Sequence, residues 1–278
     1  MRRLVRNQLA ELLLRAFEDP RNGDAILWLR LFCDLAGHGD RSEVPLAELL
    51  EEGSSALPGL ADGGKAVLAC MIGGAGLFRI RRADTGEELQ AGIQAQPTDV
   101  PWLIGLRADL QPAMAGICER ARAYANLLTS FHEMGLEPRG SDPLQRGVAQ
   151  AAACFNAGLF FEAHEHLEQF WRCQPRGQTR RFLQGIIQIS VGFHHAQRGS
   201  YDGAVNQLAK GLEKTTGVTG EVLGLDWDAF MVAVAKTRDA IVARGREAMH
   251  PLPLMEIPSM GVVGRDVPDA GPSNRMHS

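Results

Sequence analysis

Residues Phe155 to Trp171 read FNAGLFFEAHEHLEQFW, and this stretch decides the fold of the C-terminal half. Its large apolar residues recur at helical spacing, which predicts a buried amphipathic helix. That helix also carries His164, Glu165 and Glu168. At about 100° per residue Glu168 lies roughly 40° round the helix from His164, and Glu165 about 100° from it. The three therefore share one broad face, able to hold a proton or a metal. Burying such groups is costly unless they are paired, so their presence calls for a reason.

Working outward, the same frame returns at an offset of 41. Gly158, Phe160, Ala163 and Leu167 correspond to Gly199, Tyr201, Ala204 and Leu208. Each glycine ends one helix and starts the next, which gives two helical hairpins. Helices are expected over 144–157, 159–173, 178–198, 200–214 and 226–243, the last burying Trp227, Phe230, Met231, Val234 and Ile241. The arrangement is an antiparallel helical bundle. Opposite His164 comes the helix through RFLQGIIQISVGFHHAQR, Arg181 to Arg198, where Gln184, Gln188 and His195 share a narrow arc on an otherwise apolar surface. A short loop, Gln174 to Gly177, joins the two helices and predicts antiparallel packing, with Gly185 allowing close approach. Residues 245–278 lose the periodicity and carry five prolines, so an extended or disordered tail is expected, although Pro251-Leu-Pro-Leu-Met could lie across the bundle.

The residues quoted above resemble the domain of unknown function 309 family. The resemblance rests on Phe155-Asn-Ala-Gly158, Phe161-Glu-Ala-His-Glu165, Glu168, Trp171, Phe182-Leu-Gln-Gly185, Gln188, His195 and Gly199. It covers the C-terminal half, and His166 stands where the family is usually apolar. It implies a small helical fold and a predicted metal-dependent hydrolase activity. Under that reading His164, Glu168 and His195 bind one divalent ion (zinc, manganese or iron), Glu165 activates water, and Gln184 and Gln188 orient ligands or substrate. The chain lacks both H-E-x-x-H and the E-x-x-H pair of di-iron bundles. Read from the residues alone, the same cluster is equally a closed hydrogen-bonded network fixing helix register, because glutamine is a poor metal ligand and a good network member. A small-ligand pocket is the third possibility.

Ahead of the bundle, Gly135 to Pro143 concentrates turn residues and marks a boundary. The chain thus divides into a winged-helix-like domain over 1–100 with one small β-hairpin, a connecting helix over 101–140, the bundle over 141–244 and the tail over 245–278. The first domain is read as an amphipathic helix through MRRLVRNQLAELLLRAFEDP, a helix over Asp24 to Ala36, a second opened by Ser42-Glu-Val-Pro45, and a third over Gly64 to Ile72. A hairpin follows, from Leu77–Arg82 to Glu87–Ile93. Residues 102–134 read as one long helix with a bend at Pro112. Arg79, Arg81 and Arg82 on the wing could meet phosphates. Yet residues 22–95 hold six Lys or Arg against eleven Asp or Glu, which disfavours nucleic acid and leaves a regulator that binds DNA as the third functional reading. The first is the hydrolase acting on an unknown small molecule. The second is a non-catalytic helical module for a protein partner.

Composition frames these readings. A chain of 278 residues that is 45% apolar and carries a formal charge of -4 is a globular protein with no bulk attraction to phosphate backbones or acidic membranes. Ala66 to Phe78, the longest apolar run, is too short to cross a bilayer. The charged N-terminus lacks an uninterrupted apolar core and a cleavage site, so a cytoplasmic location is expected. The five cysteines, Cys33, Cys70, Cys118, Cys154 and Cys173, show no C-x-x-C pair and read as reduced core residues. Gly73-Gly-Ala-Gly76 lacks the P-loop lysine, and no serine or cysteine carries a nucleophile signature.

Overall fold

The computed structural model describes residues 3–37, 41–56, 76–88, 101–133 and 142–262. The chain is mainly helical, with short antiparallel strands, and divides into two compact units, Met1–Thr129 and Ser130–Ser278. No described helix is long and apolar enough to cross a membrane.

In the first unit, α1 (Arg3–Glu18) and α2 (Asp24–Leu35) precede β1 (Glu43–Pro45), α3 (Leu46–Ala56), β2 (Phe78–Arg82), β3 (Trp102–Leu106) and α4 (Met114–Glu133). The strands form an antiparallel sheet in the order β1-β3-β2. Val44, Ile104 and Ile80 stand in register across it and are all buried, giving the sheet an apolar face against Phe32, whose ring meets that of Phe78 at 5.2 Å. On the other face Glu43, Gly105 and Arg79 are in register. A Cβ at Gly105 would lie 2.9 Å from Glu43 Cγ, so the glycine leaves room for the Glu43 carboxylate to accept from Arg81 Nε at 2.8 Å and Arg79 Nη2 at 3.1 Å. The hydrogen bond from Arg81 holds the Glu43 carboxyl below its usual range.

Three expectations change here. Residues 102–106 form the central strand rather than the start of a helix, because Trp-Leu-Ile-Gly-Leu supplies the partner that β1 and β2 both need. The helix begins only at Met114, and Pro112 sits in the 3-10 turn Gln111–Ala113 that leads into it, where its missing N–H costs nothing. Glu43–Pro45 is likewise a strand, so the helix expected from Ser42 starts at Leu46. The turn after β2 forms as expected, with Gly86 N donating to Arg82 O, Arg82 N to Glu87 O, and a bridge from Arg81 to Glu88. The helix expected over Gly64 to Ile72 lies outside the described residues. Finally, Cys33 on α2 and Cys118 on α4 are joined as a disulfide rather than reduced, and Cys173 is exposed rather than core. Their 85-residue separation gives no local signal of pairing.

The second unit holds α5 (Pro143–Asn156), α6 (Phe160–Cys173), α7 (Gln178–Gln197), α8 (Tyr201–Lys214) and α9 (Trp227–Arg244), within one or two residues of the sequence reading. Asp142 caps α5, accepting from Gln145 N, with Pro143 in the first turn. The repeat is structural. Gly158 and Gly199 adopt φ of 74° and 70°, and the following residue closes the same loop in each copy, Leu159 N to Cys154 O and Ser200 N to His195 O, both at 2.9 Å. Each is a Schellman-type helix stop. Phe155 sits at the centre of the core, its ring 4.8 Å from Phe160, 5.5 Å from Phe193 and 5.5 Å from Phe230, so one side chain ties α5, α6, α7 and α9 together. Aromatic edges and faces at such distances add to the area they bury.

After α9 the chain, described to Val262, packs back on the bundle rather than extending away from it. Leu252, Ile257 and Met260 are buried, Leu252 N donates to Ala196 O, and the Asn156 amide pairs with both backbone groups of Met260, at 2.7 Å and 3.0 Å. β6 (Gly261–Val262) then pairs with β5 (Leu225–Asp226), which pairs with β4 (Glu221–Val222). This strap, residues 245–262, lies over both glycine turns: Leu254 covers Gly158 and Pro251 covers Gly199. Residues 263–278 lie outside the described residues.

Candidate polar site on adjacent helices

The α6–α7 hairpin is held at its turn by Arg180, whose Nη1 donates to the carbonyl oxygens of Trp171 at 2.6 Å and Gln174 at 2.8 Å while its guanidinium lies 4.1 Å from the Trp171 ring centre. Arg181 donates to the Lys214 and Glu213 carbonyls at the end of α8. These contacts satisfy orphan helix carbonyls. They occupy two of the three arginines near this turn, leaving Arg176 exposed.

On α6, His164 Nε2 lies 3.1 Å from Glu165 Oε1. The His164 side chain is 13% exposed, its ring 4.9 Å from Phe161, and its Nδ1 is buried without a hydrogen-bond partner. Glu168 accepts from Arg172 one turn on. On α7, Gln188 Oε1 is also buried and unpartnered, while Gln184 is half-buried. His195 turns to a different neighbour. A Cβ at Gly203 of α8 would come within 2.4 Å of its Cγ. Burial, and after it the charge of Arg198, hold His195 below the usual imidazole value.

His164, Glu168 and His195 thus reach toward three different partners. Among the described residues no hydrogen bond joins any two of His164, Glu168, Gln184, Gln188 and His195. Among the described residues no three His, Cys, Asp or Glu side chains converge as a metal-binding group. As placed, the donor set does not fit one divalent ion: Glu168 is committed to Arg172 and His195 to the surface of α8.

The face of α7 that meets α6 is a neighbouring one. Leu183, Ile187 and Ser190 are buried, and His194, at the same helical spacing, places its ring 5.9 Å from Phe161. This row at i, i+4, i+7 and i+11 was visible in the sequence, but lies about 100° from the Gln184–Gln188–His195 stripe. Gly185 likewise serves α8 rather than α6: a Cβ there would strike Thr215 Cγ2 at 2.3 Å, and one at Gly192 would strike Leu208 Cγ at 2.7 Å.

A second polar group was missed by sequence reasoning. On the opposite face of α6, His166 Nε2 donates to Gln150 Oε1 of α5 at 3.1 Å, both fully enclosed, with buried Glu162 one turn before. Burial pushes the His166 pKa down to about 3. Burial, and then the Glu162 charge, push the Cys154 thiol well up, so it is an inert core group. The available signal was paired spacing, Gln150 and Cys154 on α5 against Glu162 and His166 on α6.

Residues 148–207 match the family model described as domain of unknown function (DUF309). The chain is also similar to the "Uncharacterized protein YpuF" of Bacillus subtilis (strain 168), 34% identical over 53 residues. That alignment spans 19% of this chain and 30% of the relative's length. No solved structure matches. The segment that matches the DUF309 model, residues 148–207, runs from within α5 through the first half of α8 and contains both glycine turns and the His164–Glu168 face.

Proposed function

We propose that the C-terminal unit is a non-catalytic helical interaction module for a protein partner. The observation that carries this reading is the divergence of His164, Glu168 and His195, with Glu168 on Arg172 and the His195 ring on Gly203. Glu168 is engaged within α6 and His195 against α8, so these side chains act as structure and their removal should be felt as lost stability. The test is elemental analysis of protein purified without a metal-affinity tag, beside His164→Ala and Glu168→Ala. Absent metal after reloading, with destabilised variants, fits the module. Near-stoichiometric metal that both substitutions abolish in a folded protein overturns it.

The second reading, a metal-dependent hydrolase, is favoured by one observation: His164 Nδ1 and Gln188 Oε1 are buried with no partner. Under it His164, Glu168 and His195 would hold zinc, manganese or iron and Glu165 would act as base, which requires Glu168 to leave Arg172 and His195 to leave Gly203. The DNA-binding reading draws support from the β1-β3-β2 sheet order of a winged-helix-like unit. Against it, Arg79 and Arg81 are paired with Glu43 and Arg82 with Asp84, so phosphate contacts would first have to break these pairs. A cytoplasmic location belongs to the same set of proposals. It requires the Cys33–Cys118 pair to be reduced in the cell, because cytosolic thiols are kept reduced.

A further inference from the structure

Among the described residues of the second unit the exposed large apolar ones are Val232, Val242, Leu254 and Met255, all on α9 or the strap. Val232 is 71% exposed and Met255 86%. Between α9 and the strap runs a cleft of about 380 Å³. Its floor on α9 is Ala233 and Ala240, two helical turns apart, and Leu252 and Ile257 of the strap form its other wall. The alanines are the reason a cleft exists, since larger side chains at these positions would fill it.

The charges of the cleft define what it accepts. Arg244 and Glu256 cross it as an ion pair at 2.6 Å and neutralise each other. Lys236, midway between the two alanines, has no carboxylate partner among the described residues. A complementary ligand is therefore apolar and carries one acidic group. A small acid that filled the cleft would leave Met255, which lines it and is 86% exposed, wet, whereas an apolar protein segment would cover it, and a flexible methionine adapts to such a surface.

We propose that the cleft between α9 and the strap docks an amphipathic helix of a partner protein, with apolar side chains seated over Ala233 and Ala240 and one acidic residue paired with Lys236. This names the surface and partner class of the interaction module and rests on that reading. Small residues under a helix contact allow the close interaxial approach that such docking needs.

The probes are fluorescein-labelled alanine- and glutamine-based helices of roughly 15 residues, with leucines at i, i+4 and i+7 and one aspartate, lysine or glutamine beside them. Fluorescence anisotropy with the full chain should show saturable binding of the aspartate peptide. Ala240→Trp, which fills the floor, should weaken it about tenfold or more, and Lys236→Glu should transfer the preference to the lysine peptide. The surface substitution keeps the test valid if the tryptophan variant fails to fold by circular dichroism. No saturable binding of the aspartate peptide, or binding indifferent to Lys236→Glu, overturns the proposal. So does octanoate occupying the cleft while no peptide binds, which would make the ligand a free acid. Peptide binding by a chain that also holds stoichiometric metal at His164 would overturn the non-catalytic reading and leave the docking site standing.

Discussion

The His195 ring of α7 lies against Gly203 of α8, so close that a single added carbon at Gly203 would approach its Cγ to 2.4 Å. Three further contacts make the α7–α8 seam the tightest in the bundle: Gly185 on Thr215, Gly192 on Leu208, and Gly211 on Ile189, where a Cβ would stand 2.6 Å from Cγ1 and 2.9 Å from the Gly185 carbonyl oxygen.

Gly211→Ala should therefore destabilise the protein by about 1–3 kcal/mol, because backbone on the facing helix cannot rotate away as a side chain can. Gly177→Ala, at a position with open space around it, is the control. Urea denaturation of both reads the difference, and equal midpoints would mean that the seam is looser than this.

His166 makes stability depend on pH in a defined direction. Its folded pKa is lowered to about 3 from an ordinary 6.5, so between these values the unfolded chain binds a proton that the folded one refuses. The contribution is complete above pH 6.5 and lost as pH falls toward 3, by a total on the order of 5 kcal/mol. Replacing both His166 and Gln150 by Leu should flatten the stability profile over that range. Denaturation midpoints with the wild-type slope in the double variant would assign the acid sensitivity to other groups.

The Cys33–Cys118 bridge closes a loop of 85 residues in the first unit. Reduction, or Cys33→Ala with Cys118→Ala, should cost about 2–4 kcal/mol and lower the melting temperature. Among the described cysteines only Cys173 should react quickly with a thiol reagent in the folded protein, since Cys154 is buried and the other two are bonded. Rapid titration of further described thiols in non-reducing buffer would show the pair to be open, as a cytoplasmic location requires.

Local periodicity decided a great deal on its own. The boundaries of α5 to α9, both glycine turns and the antiparallel order of the hairpins follow from spacing within each segment, and a helix depends chiefly on residues three and four apart. The family resemblance was legible for the same reason, since it lies within those segments. What stayed hidden depends on partners distant in the chain. Trp102–Leu106 is a strand because Glu43–Pro45 and Phe78–Arg82 flank it, and Cys33 pairs with Cys118 across 85 residues. The polar stripe of α7 was visible, but whether α6 or α8 lay against each neighbouring face was not, because adjacent faces differ by only about 100°. Tertiary packing chose, placing His194 toward Phe161 and His195 on Gly203, since the glycines at 185, 192, 203 and 211 let α8 approach most closely on that side.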